Sequence, residues 1–224
     1  MIEFLRGYQG HILDWLPEFA VAALRTLELM VLAFLLATAL GVVIALARIS
    51  KVRALRGSAI LYIECLRGTP VLVILFWVYF GLPEFGSWLA FSSFTAAVIG
   101  LGIHGAAFLA EIFRSGIEAL HRGQMEAALS VGMTPAKAMR YIIFPQATRV
   151  VLPPIANYAV GLLKETALCS IIAAPELMLR AKDLASSTFL PMHAFVLAAV
   201  FYYLMSFPMM RFVEHLEARM GQGR

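Results

Sequence analysis

Residues 29–47 read LMVLAFLLATALGVVIALA, nineteen positions without a charge. A helix of about 20 apolar residues crosses the roughly 30 Å hydrocarbon core of a bilayer, where backbone polar groups must be satisfied internally. That stretch therefore dictates a transmembrane helix. Four further apolar runs follow, giving expected spans at about 20–47, 58–81, 91–112, 150–173 and 193–212. Hydrophobic residues make up 61% of the chain, charged residues 14%, and the mean hydropathy is +0.83. These values exclude an ordinary soluble domain and imply a single all-α integral membrane domain over residues 1–224. Residues 1–18, with Trp15 and Pro17, read as an interfacial lead-in. The first apolar run outlasts a signal-peptide core, so it is expected to be retained.

The charge of +4 and isoelectric point near 9.3 reflect topology rather than nucleic-acid binding, because the cations gather at the ends of the spans. Arg48, Lys51, Arg53 and Arg56 follow span 1. Arg114, Arg122, Lys137, Arg140 and Arg149 occupy the long polar link between spans 3 and 4 (114–149), and Arg211, Arg219 and Arg224 end the chain. The positive-inside rule makes all three regions cytoplasmic and leaves the N-terminus outside. Arg180 and Lys182 in the outer segment 175–191 breach the rule, partly offset by Glu176 and Asp183. Within span 1, Ala37, Gly41 and Ala45 form a stripe of small residues that lets another helix approach. Arg25 and Glu28 stand three apart, as do Glu111 and Arg114, and each couple is read as an intrahelical pair. Cys65 and Cys169 lie in apolar stretches and read as buried thiols; no disulfide, metal or cofactor is expected.

The inner link contains two short helices. The first, over 124–131, is expected to stop at Gly132, where only glycine takes a left-handed cap without steric cost. Thr134 and Pro135 then supply a cap and a first-turn proline for the second, expected to close near Phe144-Pro145. Such helices need a docking partner.

Glu126, Ala127, Ala128, Gly132, Ile142 and Pro145 together resemble the EAA loop of the permease subunits of binding-protein-dependent ABC importers, with Phe144 where leucine is usual. The resemblance extends over nearly the whole chain and narrows to permeases of polar amino acids, of the histidine, glutamine, arginine and opine type. Tyr62-Ile63-Glu64, Arg67-Gly68-Thr69-Pro70, Tyr79-Phe80-Gly81-Leu82-Pro83, Leu109-Ala110-Glu111-Ile112-Phe113-Arg114, Pro145-Gln146-Ala147 and Lys164-Glu165-Thr166-Ala167-Leu168 carry it. It implies a type I importer fold of five transmembrane helices and a cytoplasmic coupling helix gripped by ABC ATPase subunits. It also implies a second permease subunit, identical or related, a solute-binding protein outside, an amino-acid substrate and a bacterial inner-membrane location.

Charges at membrane depth cost several kcal/mol unless paired or hydrated, so they mark the substrate path or the packing of the bundle. Arg67 lies about 15 Å along span 2. Gly68 is expected to break the helix there, Thr69 to cap an outer half-helix and Pro70 to start it, so that a carboxylate is held near its N-terminus; the alternative is a proline kink with Arg67 paired to Glu64. Lys164 and Glu165, in span 4, either contact substrate or form a buried ion pair. His104, followed by Gly105, departs from the asparagine-serine common in such permeases, and Phe108 from a tyrosine; His104 reads as a packing residue or as lining the path. There is no G-x-x-x-x-G-K-[ST] loop, so the energy source is another subunit. The competing readings are an ion-coupled carrier and an intramembrane hydrolase, the latter without an H-E-x-x-H pair or a Ser/His arrangement.

Overall fold

The computed structural model describes residues 8, 12–118 and 122–221, and every regular element among them is helical. Most of the lead-in, residues 1–7 and 9–11, and the terminal Arg224 lie outside the described residues. From Ile12 the chain is already in α1 (Ile12–Ile49), and Trp15 is buried in a cluster with Phe19, Leu177 and Ala194. There follow α2 (Arg53–Gly68), α3 (Val71–Phe76), continued by a π turn and short 3-10 turns to Leu89, and α4 (Ser93–Glu118). The inner link forms α5 (Arg122–Ser130) and α6 (Pro135–Ala138). A π turn at Met139–Ile143 runs into α7 (Phe144–Glu165), which a 3-10 segment extends to Ile172. Then come α8 (Leu177–Thr188) and α9 (Pro191–Gly221).

Four helical stretches, 12–49, 93–118, 135–172 and 191–220, are long and apolar enough to cross a membrane, and a fifth crossing is reached if α2 and α3, bent by 106°, count as one. The bundle is organised around α1 against α4. A Cβ on Gly41 would meet Leu109 Cβ at 3.0 Å and the Ala106 carbonyl oxygen at 3.3 Å, so the two backbones touch along the stripe of small residues. One core joins Leu29 and Ala33 of α1, Leu75 of α3, Leu101 of α4 and Leu162 of α7; a second, near the start of α1, joins Phe19, Leu177, Ala181 and Leu197.

Ion pairs tie down several of the charges. Arg25 meets Glu28 at 2.7 Å, and Arg114 binds Glu111 and Glu118. The two cations at odds with the expected topology are held: Arg180 pairs with Glu18 of α1, and Lys182 donates to Ser170 Oγ at 2.8 Å. Glu176, almost wholly buried, caps α8 by accepting from the Met178 and Leu179 amides, both at 2.7 Å, and accepts from Tyr202 Oη at 2.8 Å. Burial pushes its carboxyl above the usual carboxylate range, against the opposing pull of these donors. The expectation for the thiols holds for Cys169, which is buried, and fails for Cys65, which is exposed. Cys65 lies on the open side of α2, where only Ala59 and Ile63 are buried.

Candidate functional site: a polar seam between α2, α4 and α7, and the inner corner

The chain breaks between Gly68 and Pro70, because the residue before a proline is driven out of the α region. Thr69 takes φ −104°, ψ 132°. Its hydroxyl donates to the Cys65 carbonyl at 2.8 Å, so it closes α2 rather than capping α3 as the sequence suggested. Pro70 is itself the residue before α3, which starts with no side-chain cap. Gly68 is helical and meets nothing within 4 Å at a notional Cβ, so the break needs the proline and not the glycine. The result leaves Arg67 at the tip of α2, where the carbonyl end of the helix favours a cation.

Arg67 does not pair with Glu64; among the described residues its marked neighbour is Phe108 of α4, whose ring centroid lies 5.4 Å from Cζ. Phe108 stacks on Tyr158 of α7 (6.1 Å, 19°) and tilts against His104 (5.0 Å). A Cβ on Gly105 would meet Tyr158 Oη at 2.4 Å and Ala37 Cβ at 2.9 Å, so only glycine allows this phenol to lie against α4. Two turns along α7, Glu165 ends the α-helix and the chain tightens into the 3-10 segment, with Thr166 Oγ1 donating to the Leu163 carbonyl at 2.7 Å. Glu165 and Lys164 form no ion pair, since adjacent helical residues diverge by about 100° and Lys164 faces outward.

Three buried polar atoms in this seam have no hydrogen-bond partner: His104 Nδ1, Tyr158 Oη and Glu165 Oε2. Buried groups of this kind are ordinarily hydrogen-bonded, and the seam gathers three that no other side chain or backbone group among the described residues satisfies. The structure thus brings together Arg67, His104 and Phe108 with Tyr158, and sets Glu165 on the same helix face as Tyr158. Sequence reasoning missed Tyr158. The one available signal was an aromatic hydroxyl seven residues before Glu165, a spacing that returns to the same face.

The inner corner is built from backbone rules. Gly132 takes φ +84°, and the Met133 and Gly132 amides donate to the carbonyls of Ala128 and Leu129, both at 3.0 Å, closing α5 with a Schellman cap. Thr134 precedes α6 and accepts from the Lys137 amide at 3.4 Å, with Pro135 in the first turn. The expected stop at Phe144-Pro145 does not occur. The Phe144 amide donates to the Met139 carbonyl, five residues back. This π turn absorbs the donor that Pro145 lacks, and α6 runs into α7. Glu126, Ala127 and Pro145 are exposed, Ile142 is half-buried and Ala128 is buried against the corner. Val131, Tyr141 and Phe144, at 77%, 65% and 66%, leave apolar surface exposed around this corner.

The family described as the binding-protein-dependent transport system inner membrane component matches residues 37–222. The chain belongs to this family. Membership in a binding-protein-dependent transport family favours the permease reading over the ion-coupled carrier. The chain is 45% identical over 166 residues to the probable amino-acid ABC transporter permease protein YckA of Bacillus subtilis, covering 74% of this chain and 73% of that protein. It is 41% identical to the probable amino-acid ABC transporter permease protein PatM of Vibrio harveyi, over 87% of each. Among solved structures, an amino acid ABC transporter with histidines superposes with a TM-score of 0.87 at 37% identity, covering 93% of this chain and 96% of that one.

Proposed function

We propose that the chain is the permease subunit of an importer for polar amino acids or opines, taking its solute from an external binding protein and its energy from a separate ATPase. The seam of Arg67, His104, Phe108, Tyr158 and Glu165 carries this reading. A guanidinium that makes no ion pair among the described residues and a carboxylate oxygen with no donor among them suit the two charged ends of an amino acid. The unpaired His104 and Tyr158 offer hydrogen bonds to a polar side chain. Thr69 and Pro70 contribute by ending α2 at Gly68, one residue beyond Arg67, and Lys164 flanks Glu165 on the exposed side of α7. The amino-acid permease names of YckA and PatM support the solute class.

Glu126, Ala127, Ala128, Gly132, Ile142 and Pro145 form the corner that an ABC ATPase grips; the exposed apolar side chains around them suit insertion into a groove. ATP hydrolysis belongs to that partner, and this chain is not itself an enzyme. The cation distribution supports an N-terminus outside and a cytoplasmic C-terminus in a bacterial plasma membrane. Few crossings are available to enclose a path, so a second permease subunit completes it. Co-reconstitution with the ATPase and binding protein provides the test: Arg67→Ala with Thr69→Val, or Glu165→Gln, should abolish solute-stimulated ATP hydrolysis while leaving complex assembly intact. Unchanged solute dependence in both would refute the seam as the path.

A further inference from the structure

The inner half of the bundle carries a second cleft, apart from both the polar seam and the inner corner. Its volume is about 630 Å³, and every side chain lining it is apolar. Phe34 of α1 forms the floor, Leu152, Ala156 and Ala159 of α7 one wall, and Phe212 and Leu216 of α9 the other. Clefts of roughly 300–1,000 Å³ hold small molecules. This one offers no hydrogen-bond partner to a peptide backbone, which could not lie there unsatisfied.

Both walls end in a cation on the cytoplasmic side. Arg149 precedes Leu152 by three residues, and Arg219 follows Leu216 by three. Seven residues return a helix to within about 20°, so Arg149 shares the face of Ala156 and Arg219 that of Phe212. Both arginines are exposed, and neither makes an ion pair among the described residues. The acids of α9 are turned away: Glu214 pairs with Arg211, and Glu217 lies about 140° round the helix from Phe212 at 100° per residue. From Arg149 to Ala159 is about 15 Å at the helical rise, half the hydrocarbon core and so the depth of one leaflet.

We propose that this cleft binds an anionic phospholipid of the inner leaflet, with an acyl chain between α7 and α9 and the phosphate held by Arg149 and Arg219. The proposal rests on the membrane placement of the chain and not on the identity of the transported solute.

The full-length chain, purified with its ATPase partner, is titrated with dioleoylphosphatidylglycerol or dioleoylphosphatidylcholine, and retained lipid is read by native mass spectrometry. Phosphatidylglycerol should bind at least about tenfold more tightly; Arg149→Gln with Arg219→Gln should weaken it about 30-fold, at about fivefold per arginine. Ala159→Phe, which fills the cleft, should displace it. Melting in phosphatidylcholine checks that the variants are folded. Equal retention of the two lipids, or retention unaffected by the arginine pair in folded protein, overturns the proposal. So does inorganic phosphate that competes equally well with the cleft filled, which would mark an ion site alone. Dissociation of a permease dimer by Ala159→Phe without loss of lipid also overturns it, since the occupant would then be a second copy.

Discussion

Gly105→Ala is the sharpest test of the packing that holds the seam together. The added methyl would lie 2.4 Å from Tyr158 Oη, 3.1 Å from Tyr158 Cζ and 2.9 Å from Ala37 Cβ. The first two contacts belong to a side chain that can swing, whereas the third lies in the α1–α4 interface, where little can yield. Overpacking of this kind costs about 1–3 kcal/mol. Tyr158→Phe removes the atom at 2.4 Å and leaves the other two, so the double variant should recover part of the loss, with a coupling of about 0.5–3 kcal/mol. Gly161→Ala in α7 is the control: nothing lies within 4 Å of its notional Cβ, and alanine should raise stability by up to about 1 kcal/mol. Thermal unfolding of the assembled complex reads the cost, and solute-stimulated ATP hydrolysis should fall as Tyr158 leaves Phe108. A Gly105→Ala protein as stable as its parent, with no coupling to Tyr158→Phe, would refute the close approach of α4 to α1 and α7.

Three further outcomes are expected. Gly132→Ala, at φ +84° with open space around it, should cost about 1–2 kcal/mol of backbone strain, read as faster hydrogen exchange of the Met133 amide and weaker ATPase association. The Glu176 carboxyl, raised by burial, binds its proton more tightly in the folded chain than in the unfolded one. Its contribution to stability is therefore full at pH below the usual carboxylate range of about 4.3 and is lost as pH rises through the raised value. Glu176→Gln should remove that part of the pH dependence of melting. N-ethylmaleimide should label the exposed Cys65 and spare the buried Cys169 until the chain unfolds, as mass mapping would show.

Much of this architecture could be read from the sequence because each element obeys a local rule. The spans follow from apolar length, the α1–α4 contact from small residues at a four-residue spacing, and the Gly132 cap from the one residue tolerant of its backbone angle. The failures share a physical cause. Proline marks a missing donor without saying how the chain will compensate, so Pro145 suggested an end where a π turn continues the helix. Thr69 could have served either flanking helix, and its hydroxyl reached back to Cys65. The seam was legible as charges, Arg67 and Glu165, while its aromatic spine was not. Stacking of Phe108 on Tyr158 joins helices far apart in sequence, and nothing local to either residue encodes it.

The unbroken run from Pro135 to Ile172 turns the inner corner and the seam into two ends of one rod. Its closest clamp is at Val151, whose Cγ1 would lie 1.9 Å from a Cβ on Gly116 of α4. Pro135 is about 24 Å from that clamp and Glu165 about 21 Å on the other side, at the helical rise. With Val151 as fulcrum, the rod is a see-saw of nearly equal arms. If the corner is where a partner pushes, as proposed, a thrust of a few ångströms at Pro135 would swing Glu165 by a similar distance in the opposite sense.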